Sequence, residues 1–210
     1  MFIDSRGNSW IAISEFQSQN YCELQLKYKW EGYKPETKEM KRGSEIHEKK
    51  EKEYLEEAEK KEKLTIIEAV QRATKDKESF VTREFPITSP FFRLYGKIDS
   101  VTIEPDKIIV SDDKPTDVVF LSEKMQVLCY AIALKDKYRI PLELHVQIKN
   151  RDSGKVVWTE VVTQEHVEEL RNTIQRLHSL ATKKEDFIQT TNPKKCLKCP
   201  YREICDKRLA

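Results

Sequence analysis

The 210-residue sequence contains no run of about eighteen apolar residues, so no segment of it has the length and character of a membrane-spanning helix. Its first residues, MFIDSRGNSW, lack the cationic start and apolar stretch of an export signal. A soluble, cytoplasmic protein with no membrane partner is expected. Charge of one sign is also lacking: 38 Lys and Arg against 36 Asp and Glu leave a net +2, so there is no global basic field and any nucleic-acid surface has to be local. No internal repeat or low-complexity linker divides the chain, which is long enough for one well-buried core and short for two domains. One domain over residues 1–210 is expected. The five cysteines do not suit a disulfide framework in a reducing compartment, and their spacing favours metal binding.

What is present centres on LYGKIDSVTIEPDKIIVSDDK, residues 94–114. Ile98, Val101 and Ile103 precede a turn at Glu104-Pro105-Asp106, and Ile108, Ile109 and Val110 follow it, which predicts a β-hairpin. Asp99 interrupts the first strand. Asp112 and Lys114 close the second at spacing i, i+2, on one face of the strand. Two carboxylates suit a hard divalent ion such as Mg²⁺ or Mn²⁺, and an ammonium beside them orients a water or offsets developing charge, which is the chemistry of phosphodiester cleavage. The doubled Asp112-Asp113 allows two registers, of which the pairing with Lys114 selects Asp112.

Around the hairpin the pattern predicts a helix from Ser14, with Gln17 completing a capping box, through Trp30, and a loop from Gly32 to Lys38. A Lys/Glu-rich helix follows over 38–63, whose inward stripe carries Met40, Gly43, His47, Tyr54, Leu55 and Ala58. Residues 64–78 fit a short helix or a strand equally. A strand over 80–87 leads to the hairpin, and a helix over 121–138 has Met125, Leu128, Cys129, Ile132 and Ala133 as its apolar face, with Gln126 and Tyr130 on its flank. Two strands, 143–149 and 155–162, and a helix over 164–184 complete an α/β (α+β) chain with a central mixed sheet flanked by helices.

Gly43-x-x-x-His47, Gly96-x-x-Asp99, Asp112-x-Lys114 and Gln126-x-x-x-Tyr130, in that order, resemble the RecB-like branch of the PD-(D/E)XK nucleases, which have the restriction-endonuclease-like fold. With the cysteines added, the chain is similar to CRISPR-associated RecB-family exonucleases carrying an iron–sulfur cluster. The resemblance implies that His47, Asp99, Asp112 and the backbone carbonyl of Asp113 hold the divalent ion. Lys114 would position the water, and Gln126 and Tyr130 would lie beside the metal and help hold DNA. It implies exonuclease action on single strands or strand ends, often from the 5′ end, in trimming DNA before spacer insertion, with CRISPR integrase proteins as partners. Ser111 departs from the apolar residue usual before the acid.

The tail NPKKCLKCPYREICDKRLA holds Cys196-x2-Cys199-x5-Cys205, with Pro200 at an expected helix start. Three thiols at this spacing converge on one ion or cluster and lack a local fourth ligand, for which Cys22 is the candidate. Four thiolates describe a [4Fe–4S] cluster or a structural zinc site alike; the resemblance favours iron–sulfur. Segments of about 14–30 and 190–210 would then form the cluster-binding part, while Cys129 packs as a small apolar residue. A DNA-facing surface is expected from Lys27, Lys29, Lys34 and Arg42 with Tyr28, Trp30 and Tyr33. Two other readings remain: a non-catalytic nucleic-acid-binding module that keeps the cluster, and a zinc-stapled partner of a helicase–nuclease repair complex.

Overall fold

The computed structural model describes residues 1–35, 41, 45 and 64–209. Most of the expected 38–63 helix, including Gly43 and His47, lies outside the described residues. In chain order the elements are β1 (Phe2–Ile3), β2 (Ser9–Ala12), α1 (Glu15–Tyr21), α2 (Leu24–Trp30), α3 (Ile66–Asp76), β3 (Phe80–Ser89), β4 (Leu94–Ile103) and β5 (Lys107–Lys114). They continue as α4 (Leu121–Tyr138), β6 (Glu143–Asn150), β7 (Val156–Val161), α5 (Gln164–Ala181), α6 (Pro193–Leu197) and a 3₁₀ turn at Arg202–Ile204.

Strand β4 organises a mixed sheet. One of its edges pairs with β3 antiparallel, from Phe80↔Ile103 to Ser89↔Leu94. The other edge is shared: β2 pairs parallel at Leu94 and Tyr95, and β5 pairs antiparallel only from Ser100↔Ser111 to Ile103↔Ile108. Beyond β5 come β6, parallel from Lys107↔Glu143 to Lys114↔Asn150, and β7, antiparallel to β6. The parallel pair needs a crossover, and α4 supplies it. The expected α/β architecture, a mixed sheet flanked by helices, is the one observed.

Helix α4 packs on β3, β4, β5 and β6, and α1 and α5 pack against it in turn. It is therefore buried on every side from Val127 to Leu134, and the flank positions Gln126 and Tyr130 are only 6% and 5% exposed. Sequence periodicity, which assigns that flank to a boundary, understates this because it registers one packed face and not two. Helix α3 resolves the ambiguity over 64–78. Thr65 and Glu68 form a capping box, and Ile66, Ala69, Val70 and Ala73 are buried along one face.

Three local expectations are corrected. The single helix over Ser14–Trp30 is two, because Cys22 is extended at φ −170° and ends α1. Ser14 makes no side-chain cap, and Gln17 reaches Gln126 instead. The tail's short helix starts at Pro193 behind an Asn192 cap rather than at Pro200, which precedes the 3₁₀ turn. Strands β1 and β2 have no expectation to match. Leu24, Tyr28 and Tyr201 form a second small core with Cys22, Phe187, Cys199 and Cys205 packed on it, so the N-terminal helices and the tail make one lobe.

A candidate active site at a fork in the sheet

The ladder between β4 and β5 stops at Ser100↔Ser111. The next opposed positions are Asp99 and Asp112, which by register face the same side of the sheet. The strands part there. The carboxylate of Asp99 spans the opening, its Oδ2 accepting the backbone N–H of Asp113 at 2.7 Å. On the far edge of β4, Glu84 stands opposite Asp99 with a left-handed φ of 48°, and the pair is missing from an otherwise continuous β3–β4 register. Buried positions shift parity across this point, from Leu94 and Ile98 to Val101 and Ile103. The irregularity thus lies at the acid itself, where strained backbone commonly serves a site.

Lys114 Nζ lies 2.6 Å from Asp112 Oδ2, as the i, i+2 spacing requires, and Asp112 is 3% exposed. The same ammonium donates to Gln126 Oε1 at 3.1 Å, and Gln17 Nε2 donates to that oxygen at 2.6 Å. Two helices therefore fix the lysine's position. Ser111, fully buried, accepts from Gln147 Nε2 at 2.7 Å, which shows how a hydroxyl occupies a position usually apolar. Gly96 leaves room for Tyr130: a Cβ there would stand 2.7 Å from the ring carbon Cε1. Burial pushes the Tyr130 phenol up; a hydrogen bond with Gln126 opposes this, and the charges of Asp112 and Asp99 add to it.

Glu123, which the sequence reading missed, caps the start of α4 one turn before Gln126, its Oε2 accepting the Phe120 N–H at 2.9 Å. Burial pushes its carboxyl up; the Phe120 N–H and the Lys114 charge oppose this, and the Asp112 charge adds to it. Its position three residues before Gln126 on α4 is the signal that places it on the same face.

The four tail and helix cysteines line one cavity of about 20 Å³, with Tyr21, Gln25 and Tyr28 among its other walls. Gln25 Nε2 donates to Cys199 Sγ and the Thr190 N–H to Cys22 Sγ, both at 3.4 Å. Burial, then the charges of Cys199, Cys196 and Cys22, raise the Tyr21 phenol, which lines the same pocket as those sulfurs. Four thiols with amide donors aimed at two of them fit a thiolate-ligated cluster or ion as a donor set. Among the described residues, however, no three His, Cys, Asp or Glu side chains are gathered into a metal-ready group, either here or at the fork.

The PD-(D/E)XK nuclease superfamily matches residues 20–206. The chain belongs to that superfamily. The match spans the fork, α4 and the cysteine lobe. Among solved structures, one from Eubacterium rectale, titled a "Putative exonuclease", has 13% identity and a TM-score of 0.54, covering 100% of this chain and 95% of its own. The protein SSO0001 has 13% identity and a TM-score of 0.44, covering 95% of this chain and 87% of its own. At such identity the likeness to the Eubacterium rectale protein is one of fold. No curated protein matches the chain.

In this nuclease-superfamily chain the expected DNA-facing surface is only partly available. Tyr28 is buried, its hydroxyl donating to Asp206 at 2.9 Å, and Trp30 donates from Nε1 to Glu15 at 2.9 Å. Both rings serve the core rather than unpaired bases. Tyr33, half exposed, and Lys34, exposed, remain at the surface, while Arg42 lies outside the described residues.

Proposed function

We propose that the chain is a divalent-metal-dependent deoxyribonuclease that removes nucleotides from single strands or strand ends, in the 5′-to-3′ direction, and serves CRISPR adaptation by trimming DNA before its insertion. The observation that supports this most directly is the fork. Asp99 and Asp112 oppose each other just past the end of a ladder, and Lys114 stands 2.6 Å from Asp112. Asp99, Asp112, the Asp113 carbonyl and His47 would hold Mg²⁺ or Mn²⁺. A cation there would polarise the scissile phosphate and acidify a water.

The chain's own residues do the rest. Lys114, oriented by Gln126, puts an ammonium where charge develops on the phosphate and hydrogen-bonds the incoming water. In this structure the same ammonium neutralises Asp112, so the buried carboxylate has a counter-charge of its own. Tyr130 shapes the floor, and Tyr33 and Lys34 would meet the strand. Cys22, Cys196, Cys199 and Cys205 would carry a [4Fe–4S] cluster as a structural group, with zinc as the alternative, separated by metal analysis of anaerobically purified protein. One domain over residues 1–210 would include both sites.

The test uses single-stranded DNA labelled at either end, with Mn²⁺ or with EDTA. Cleavage in Mn²⁺ that starts at the 5′ end and is lost in Lys114→Ala and Asp112→Asn, with binding kept, supports the reading. Intact DNA with the wild-type protein, or full activity in either variant, overturns it.

A further inference from the structure

An open groove of about 260 Å³ lies away from the fork, between the β3–β4 turn and α5. The turn contributes Phe91, Phe92 and Arg93, and the helix contributes Arg171, Gln175 and His178 at i, i+4 and i+7, which share one face. Phe91 is 71% exposed and meets Phe92 edge-on at 4.8 Å, so one ring is anchored and the other stands free. The cations are the more telling part. Among the described residues no carboxylate pairs with Arg93 or Arg171, although the chain carries 36 Asp and Glu. Arg93 Nε is buried without a hydrogen-bond partner, and Arg93 is held at a left-handed φ of 51°. A buried guanidinium nitrogen with no acceptor is costly unless something else supplies one. His178 does not, since its Nε2 bonds the Phe92 carbonyl at 2.9 Å and its Nδ1 bonds Ser9 Oγ at 2.8 Å.

We infer that this groove binds a single-stranded nucleic acid, with Arg93 and Arg171 on its phosphates and Phe91 stacked on a base. An exposed ring beside unpaired arginines is the combination by which single strands are held without sequence preference. Arg93 lies in the turn just before β4, six positions ahead of Asp99, a chain span of at most roughly 20 Å at about 3.3 Å per residue. The groove is therefore an anchor for strand lying outside the cleaved end. The inference rests on the reading of the chain as a nuclease acting on DNA strands, and its test measures binding without cleavage, so the two fail separately.

The experiment is fluorescence anisotropy of a labelled oligothymidylate of about a dozen residues, titrated in EDTA at several salt concentrations. Arg171→Gln and Arg93→Gln should each lower the slope of log affinity against log salt by about 0.7, the value for one phosphate contact on a single strand. Phe91→Ala should weaken binding roughly tenfold with the slope unchanged. Phe91 and Arg171 are both exposed, so those two variants carry the test should Arg93→Gln fold poorly. Unchanged affinity and slope in both, or no binding by the wild-type chain, would overturn the inference.

Discussion

Asp99 Oδ2 accepts the backbone N–H of Asp113 at 2.7 Å, which makes a catalytic candidate also the closure of the β4–β5 fork. From sequence alone, clustered acids suggest that Asp99→Ala relieves repulsion and stabilises the protein. The hydrogen bond and the Lys114 counter-charge on Asp112 reverse that sign. Asp99→Ala should lower stability by about 1–2 kcal/mol, because a partly buried N–H loses a charged acceptor. Urea unfolding without divalent ions checks it, and an unchanged or raised midpoint would show that repulsion wins.

A second expectation concerns Gly96 and Tyr130. The glycine has an ordinary φ, so its role is space and not backbone freedom. Gly96→Ala sets a methyl 2.7 Å from a ring that is 5% exposed and unable to retreat, which should cost about 1–3 kcal/mol. Adding Tyr130→Leu should recover part of the loss. If the single variant unfolds at the wild-type midpoint, the ring is not confined as described.

Much of this arrangement was legible because it is local. The hairpin strands, the i, i+2 pairing of Asp112 with Lys114, and the α4 boundaries follow from alternation and helical period, which depend on neighbours in sequence. Long-range geometry was not. The burial of Gln126 by Gln17 of α1 and the withdrawal of Tyr28 to Asp206 both depend on residues more than 100 positions away. Polar residues at helical spacing look the same whether they face water or a second packed helix, which is why Glu123 was missed.

The two ends of the chain are joined by an ion-pair network as well as by the packing of the cysteine lobe. Glu23, next to Cys22, accepts from Arg176 Nε at 3.0 Å and Nη2 at 2.7 Å and from the Ile188 N–H at 2.8 Å, while Arg176 also pairs with Glu185. Glu23→Ala should therefore cost about 2 kcal/mol and expose the tail to protease even with the cysteines intact. Limited proteolysis measures this; equal digestion rates would mean that the thiol lobe alone holds the tail. In anaerobically purified protein, Cys22→Ala should lose bound metal. Cys129→Ala should keep it, since burial pushes the Cys129 thiol well up and away from the thiolate form.

The last expectation is a pH dependence from His178. Its Nε2 faces the Phe92 carbonyl, which only accepts, so Nε2 carries the proton and Nδ1 accepts from Ser9 Oγ. Burial lowers the imidazole from its ordinary value of 6.5; the Phe92 carbonyl opposes this and the Arg93 charge adds to it. The folded state therefore binds this proton less readily than the unfolded chain. Stability from this residue is fully present above about 6.5 and is lost as pH falls from there through the folded value. His178→Gln, which keeps a donor and an acceptor without titrating, should flatten the stability profile between pH 7 and pH 5 by roughly the part due to this one group. Thermal midpoints measured across that range for both proteins decide it. A wild-type profile no steeper than that of the variant would mean that His178 protonates in the folded protein as freely as in the unfolded chain.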